Sequence, residues 1–129
     1  LIWSNQVDPA RANEINLSRE NVSPPITTLS SIEKINFAKY LNDNNIVMYS
    51  AYWCPHCNDQ KQLFGKKAVE ELIIVECAKD GKNNQYKLCQ EKGIEGFPSW
   101  EINNEIYSGT MSLNELAEMT NYDGDINFE

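Results

Sequence analysis

Apolar and polar positions along the middle of the chain follow two alternating periods. From residue 32 to about residue 44, apolar side chains recur at helical spacing, which predicts a first helix. Ser30 and Ser31 precede it and are suitable N-caps. Residues 46–52 form a short β-branched and aromatic run, so we expect a buried strand there.

The alternation continues through the centre of the chain. Pro55 suits a first helical position, and the pattern predicts a helix over residues 55–72 that Gly65 kinks. Residues 72–75 are too few for a helix and too apolar for a sheet edge, which favours a central strand. Residues 83–92 then predict a helix.

The last third predicts a hairpin and a closing helix. Residues 99–102 and 105–108 flank Asn103-Asn104, a turn signal between two strands. Ser112 is placed to cap a final helix that runs to about residue 121. The resulting order, α-β-α-β-α-β-β-α, predicts an α/β layered domain over residues 30–122.

Both ends of the chain differ from this pattern. Residues 1–29 are rich in Asn, Ser, Pro and charge, which predicts a flexible polar arm or a loosely docked linker. Residues 123–129 are predicted to form a frayed acidic tail.

Charge and length narrow the classes of partner. A chain of 129 residues suits one domain, and its formal charge of −8 argues against nucleic acid and anionic lipid as partners. No apolar run reaches the roughly 18 residues that a membrane span needs, so the domain itself is predicted to be soluble. Because the sequence opens with Leu1, we expect a targeting or membrane segment to lie outside it.

The candidate chemistry lies at Cys54 and Cys57, where a predicted strand ends and a helix begins. Unpaired N–H groups and the positive end of the dipole at a helix N-terminus stabilise a thiolate, so Cys54 is the expected attacking sulfur. Cys57 lies one turn further in and would resolve a mixed disulfide. His56 would add positive charge and make the disulfide a stronger oxidant, while Pro55 fixes the turn.

Two other interpretations of this pair stay open at this point. The cysteines could form a structural disulfide, or half of a zinc site. A zinc site needs a second closely spaced ligand pair, and Cys77 and Cys89 are not spaced as one, so we predict no metal. His56 is also compatible with a solvated residue at a helix start.

These residues resemble the thioredoxin superfamily over about residues 31–122. Residues 53–57, Trp-Cys-Pro-His-Cys, match its Trp-Cys-x-x-Cys motif, and residues 93–99 match its Gly-Ile-x-Gly-x-Pro-Thr loop. The resemblance implies a central mixed β-sheet flanked by helices. It also implies a cis Pro98 facing the cysteines, a Phe97 backbone that pairs with substrate, and a docking and tuning role for Trp53.

Residues 49–57, with residues 59–61 and 63–65, resemble more narrowly the thioredoxin-like domain of bacterial and plastid vitamin K epoxide reductase homologues. In that group a membrane domain with four cysteines passes electrons to quinone, so this domain would hold no cofactor itself. The resemblance implies oxidative protein folding in the bacterial periplasm or the thylakoid lumen. Residues 1–29 would then tether the domain to the membrane domain, within one chain.

The sequence departs from the superfamily at one position. Thioredoxins carry a buried Asp six residues before the first cysteine, and here that residue is Met48. Residues 72–75 also lack the lysine that often faces that Asp. Loss of this proton acceptor argues against fast reductase activity and favours a disulfide donor.

Cys77 and Cys89 are predicted to form a second disulfide. One ends the predicted central strand, the other lies in the following helix, and an even cysteine count in an oxidising compartment favours pairing. Its role could be structural or a second relay step.

Two classes of function remain. The first is a thiol-disulfide oxidoreductase that donates disulfides to reduced secreted or lumenal proteins. The second is a non-catalytic thioredoxin-like module that binds peptides as a chaperone. A disulfide isomerase is a related alternative, although such enzymes usually work as dimers and the sequence shows no dimerisation segment.

Overall fold

The structure, a computed structural model, describes residues 21–129, and the predictions for residues 1–20 lie outside this range. None of the helices within the described range has the length and apolar character needed to cross a bilayer. The elements in chain order are α1 (Ile32–Asp43), β1 (Val47–Ser50), α2 (Pro55–Phe64), α3 (Lys66–Val69), β2 (Ile73–Glu76), α4 (Tyr86–Glu91), β3 (Ser99–Ile102), β4 (Glu105–Ser108) and α5 (Leu113–Met119).

The four strands form one mixed sheet in the order β2-β1-β3-β4. β1 pairs parallel with β2 and antiparallel with β3, and β3 and β4 form the predicted hairpin. Asn103 and Asn104 both have positive φ, 53° and 67°, the conformation that a two-residue hairpin turn requires. The predicted α/β fold with a central mixed sheet and flanking helices is therefore confirmed.

Serine side chains begin two of the helices. The Ser31 hydroxyl accepts a hydrogen bond from Lys34 N at the start of α1. At α5, Ser112 and Glu115 form a reciprocal capping box. Both pairings satisfy backbone N–H groups that a helix start leaves open, which explains why these helices begin where the sequence predicted.

The predicted single helix over residues 55–72 is wrong, because the chain forms two helices there. Gly65 has φ 93° and ψ 165°, a conformation that is essentially restricted to glycine, and it separates α2 from α3. A Cβ at this position would lie 2.5 Å from the Leu29 carbonyl oxygen. Gly65 therefore ends α2 and also admits the close passage of the segment that precedes α1.

Consecutive residues of β1 pack into two apolar clusters on opposite faces of the sheet. Met48 packs in the larger one, with Phe37 of α1 and Trp100 of β3, and Tyr49 packs in the smaller one with Val75 of β2. Both β1 side chains are almost completely buried. The strand that leads to the cysteine pair is therefore held from both faces.

The segments that flank the predicted domain on either side pack against it more closely than the sequence indicated. Residues 21–29 form no helix or strand, but the Thr28 hydroxyl donates to Gln62 O at 2.7 Å and Lys66 N donates to Thr28 O at 2.9 Å. The predicted frayed tail is corrected at Phe128, which is buried with its ring 5.3 Å from that of Phe37. An aromatic side chain among seven mostly polar residues thus fixes the C-terminus on the core.

We expect Phe128→Ala to lower the free energy of unfolding by about 2–4 kcal/mol, because it removes a buried ring from an aromatic cluster. Ile126→Ala is the matched control, since Ile126 is 52% exposed in the same segment and should change stability by less than about 0.5 kcal/mol. Urea unfolding monitored by circular dichroism measures both. Equal stability of the two variants would contradict the packing of the C-terminus.

Candidate active site

Cys54 occupies the N-cap of α2. After β1 the chain turns so that Cys54 N donates to Ala51 O at 3.0 Å, and Pro55 then supplies the first helical residue. The Cys54 sulfur accepts a hydrogen bond from Cys57 N at 3.2 Å, in the role that a serine oxygen has in the other capped helices. This backbone donor and the helix N-terminus both favour negative charge on the sulfur.

The two cysteines are free thiols with different access to solvent. Cys54 is 6% exposed and Cys57 is 1% exposed. The Phe97–Pro98 peptide bond is cis, as the resemblance implies, and Phe97 O lies 3.7 Å from Cys54 Sγ. The structure thus brings together Cys54, Cys57 and the loop before β3, with Cys54 as the more accessible sulfur.

Burial disfavours ionisation of Cys57. Desolvation, and next the hydrogen bond and charge of Cys54, raise the pKa of the Cys57 thiol to about 12. The Ser50 hydroxyl and the Ala51 backbone act in the opposite direction but do not outweigh burial. Cys57 is therefore a protonated thiol at neutral pH in this structure.

Two exposed side chains lie close to Cys54 in the chain, the apolar Trp53 before it and the polar His56 after it. Trp53 is 58% exposed, and its ring meets that of Phe97 edge-on at 6.0 Å. His56 is also exposed, and its Nδ1 lies 3.6 Å from the Asp59 carboxylate. The positive charge expected of His56 thus has an acidic neighbour that the motif alone did not indicate.

Sequence reasoning missed Lys61 and Glu76. Lys61 is only 7% exposed, and its ammonium group donates to Ser23 Oγ at 3.0 Å. Burial lowers the pKa of Lys61, while the charges of Cys57, Glu76 and Cys54 raise it. The i to i+4 spacing of Cys57 and Lys61 on α2 was a signal that could have found this lysine.

Glu76 ends β2 beside the turn that carries the cysteines. Its Oε2 accepts hydrogen bonds from Tyr52 N at 3.1 Å and from Ala78 N at 3.0 Å. The carboxylate thus links the end of β2 to the turn between β1 and α2. Nothing in the spacing along the chain indicated this contact, because it depends on the parallel pairing of β1 with β2.

Cys77 and Cys89 are joined in a disulfide, with their Cα atoms 5.8 Å apart. Both lie in the smaller apolar cluster with Tyr49 and Val75, whereas Cys54 and Cys57 belong to the larger one. The structure therefore does not place the two cysteine pairs in one site. Among the described residues, no group of three or more His, Cys, Asp or Glu side chains is arranged to hold a metal ion.

Comparison with known proteins agrees with this geometry. The family model described as thioredoxin matches residues 28–121, which is most of the chain. The chain belongs to the thioredoxin family. The match covers every helix and strand described above, so the whole sheet and its flanking helices make up the thioredoxin domain.

Curated relatives of this thioredoxin domain carry names from thiol-disulfide chemistry. The thiol-disulfide oxidoreductase LTO1 of Arabidopsis thaliana is 43% identical over 117 residues, which cover 88% of this chain and 31% of the relative. A protein disulfide-isomerase of Saccharomyces cerevisiae is 28% identical over 130 residues, 92% of this chain and 24% of the relative. The chain thus spans less than a third of the length of either relative.

The raised pKa of Cys57 predicts slow alkylation of this thiol in the thioredoxin domain. In a Cys54→Ser variant, reaction with iodoacetamide should remain slow at pH 8–9, because burial, the largest cause of the raised pKa of Cys57, is still present. The same variant unfolded in urea is the control, and it should react like a free cysteine. A folded variant that reacts at the unfolded rate would contradict the assignment.

Removal of the Cys77–Cys89 disulfide is predicted to lower stability independently of the chemistry of Cys54. Replacing both Cys77 and Cys89 by Ala should lower the free energy of unfolding by about 2–3 kcal/mol, since the bond closes a short loop with a separation of 12 residues. Unfolding in urea measures this loss. If stability is unchanged, the bond does not contribute to the native state as described.

Proposed function

We propose that this thioredoxin domain is a thiol-disulfide oxidoreductase that donates the Cys54–Cys57 disulfide to reduced proteins. The observation that supports it most directly is the position of Cys54, whose sulfur accepts the Cys57 N–H at the start of α2. A helix N-terminus that stabilises the thiolate favours the reduced state of the pair. A disulfide whose reduced form is stabilised is a stronger oxidant.

Transfer proceeds in two exchange steps. A substrate thiolate attacks Cys54 Sγ, the Cys54–Cys57 bond breaks, and Cys57 leaves with the electron pair and takes up a proton. A second substrate thiolate then attacks the substrate sulfur of the mixed disulfide and releases Cys54 as a thiolate. The substrate loses two electrons and gains one disulfide, and the domain gains two electrons as a dithiol.

Substrate would dock at the rim formed by Trp53 and Phe97. The exposed indole offers an apolar surface, and the Phe97 backbone beside Cys54 Sγ is placed to meet an extended chain. Pro55 and His56 lie between the two cysteines in the chain, and His56 would tune the charge near Cys54 together with Asp59. An unfolded protein chain with apolar side chains suits this rim.

Reoxidation would come from a quinone-linked membrane domain of the vitamin K epoxide reductase type, in the same chain or in a separate one. The motif resemblance supports this partner, and the similarity to a relative named a thiol-disulfide oxidoreductase is consistent with it. The Cys77–Cys89 disulfide supports an extracytoplasmic compartment, such as the bacterial periplasm or the thylakoid lumen, because structural disulfides persist in oxidising surroundings.

Isomerase activity is the second candidate, favoured by similarity to protein disulfide-isomerases of Saccharomyces cerevisiae and Aspergillus niger, the latter 26% identical over 80 residues. A donor oxidises reduced protein, whereas an isomerase rearranges bonds already formed. Incubating the oxidised domain with a reduced, unfolded protein and measuring thiol loss tests the donor. Loss no faster than the uncatalysed rate would refute it, and rescue of a scrambled protein alone would identify the isomerase.

The different burial of the two sulfurs predicts different trapping by their variants. Cys57→Ser should accumulate mixed disulfides with a disulfide-bonded protein, and reductant should remove them. Cys54 attacks the disulfide of the partner and releases one of its thiolates, and the resolving sulfur that would free Cys54 is absent. Cys54→Ser should abolish transfer and trapping, since Cys57 has neither access nor a stabilised thiolate. Non-reducing gels compare the two, and equal trapping would show that the roles are misassigned.

A further inference from the structure

The resolving step poses a chemical problem in this domain. When Cys54 forms a mixed disulfide with an oxidant, Cys57 must ionise before it can attack, yet burial raises the pKa of the Cys57 thiol above its ordinary value. Six residues before Cys54, the buried side chain of Met48 offers no titratable group. The proton of Cys57 therefore needs another acceptor.

Lys61 occupies the right place for this role. It lies one turn after Cys57 on α2, and both side chains are among the buried residues of that helix. A buried lysine is rare in a protein interior because desolvation of the ammonium group is costly. The structure nevertheless keeps Lys61 inside, where its charge interacts with Cys57, Cys54 and the carboxylate of Glu76.

We propose that Lys61 is the proton acceptor for Cys57 when the domain is reoxidised. This inference rests on the function proposed above. It concerns a residue that the Cys-x-x-Cys motif does not include. Ser23 Oγ, which accepts a hydrogen bond from Lys61 Nζ, holds the amine in place.

The step balances as follows for a disulfide oxidant. The Cys54 thiolate attacks the oxidant, forms a mixed disulfide and releases one thiolate. The neutral amine of Lys61 takes the proton of the Cys57 thiol, and the Cys57 thiolate attacks Cys54 Sγ. The Cys54–Cys57 bond forms, the bond from Cys54 to the oxidant breaks, and the second thiolate leaves and is protonated by water. The oxidant gains two electrons, and Lys61 returns its proton to solvent.

Opposed effects act on the pKa of Lys61. Burial, the largest effect, lowers the pKa of Lys61 and favours the amine form, whereas the carboxylate of Glu76 and any thiolate at Cys57 or Cys54 act to raise that pKa. Because the coupling is reciprocal, the ammonium group formed by proton transfer also stabilises the new Cys57 thiolate. Proton transfer thus creates an ion pair instead of an isolated buried thiolate.

The test follows reoxidation of the reduced domain by oxidised glutathione. Acid quenching and mass spectrometry separate the dithiol, the glutathione mixed disulfide and the final Cys54–Cys57 disulfide. Lys61→Gln should accumulate the mixed disulfide at pH 7, with resolution at least tenfold slower than in the natural sequence. Lys67→Gln is the matched control, because Lys67 is an exposed lysine of α3 and should resolve at the natural rate.

The pH profile and a second substitution separate a proton acceptor from a fixed charge. Resolution in the natural sequence should rise with pH to a plateau as Lys61 loses its proton, and Lys61→Gln should lack that plateau. Lys61→Arg keeps the charge but cannot accept a proton in this range, so it should also be slow. Recovery of the natural rate in Lys61→Arg would overturn the proposal.

Glu76→Gln tests the assignment without altering Lys61. Removing the carboxylate should lower the pKa of Lys61 and move the plateau to lower pH, whereas an unchanged or raised midpoint would show that the plateau does not belong to Lys61 and would overturn the proposal. If the natural domain fails to react with oxidised glutathione at all, the proposed oxidoreductase function fails. If it reacts and Lys61→Gln resolves as fast as Lys67→Gln, only the Lys61 inference fails.

Discussion

The hydrogen bond from Cys57 N to Cys54 Sγ joins the fold of this domain to its proposed chemistry. A sulfur at the N-cap replaces the serine oxygen that begins α1 and α5, and it is a better acceptor as a thiolate than as half of a disulfide. The same contact therefore starts a helix and supports the proposed stability of the reduced pair.

This arrangement depends on how firmly β1 is held. Met48 and Tyr49 anchor the strand in clusters on the two faces of the sheet, and β2 and β3 pair with its two edges. The turn after β1 is fixed again by Glu76, which accepts a hydrogen bond from Tyr52 N. Because contacts hold both the strand before the turn and the turn itself, Cys54 keeps its position beside Phe97 O.

The surroundings of Cys57 differ in their polar groups from those implied by the thioredoxin resemblance. The position before the motif that thioredoxins fill with Asp is an apolar Met48 here, while a lysine on α2 and a carboxylate at the end of β2 supply charge from other elements. Ser23 connects this lysine to the segment before α1. Residues 21–29, predicted to be part of a loose arm, thus contribute directly to the neighbourhood of the site.

The sequence by itself determined the order of the four strands, the caps at Ser31 and Ser112, the Asn103-Asn104 turn and the location of the cysteine pair. These features are local, because a cap, a turn or a Cys-x-x-Cys spacing depends on residues only a few positions apart. Only the tertiary structure decided that Phe128 belongs to the core, that Gly65 divides a helix, and that Glu76 lies beside the cysteine turn. Each of these contacts joins segments that meet only after the sheet has assembled. Burial is also a property of the assembled fold, and it is the largest cause of the shifted pKa values of Cys57 and Lys61.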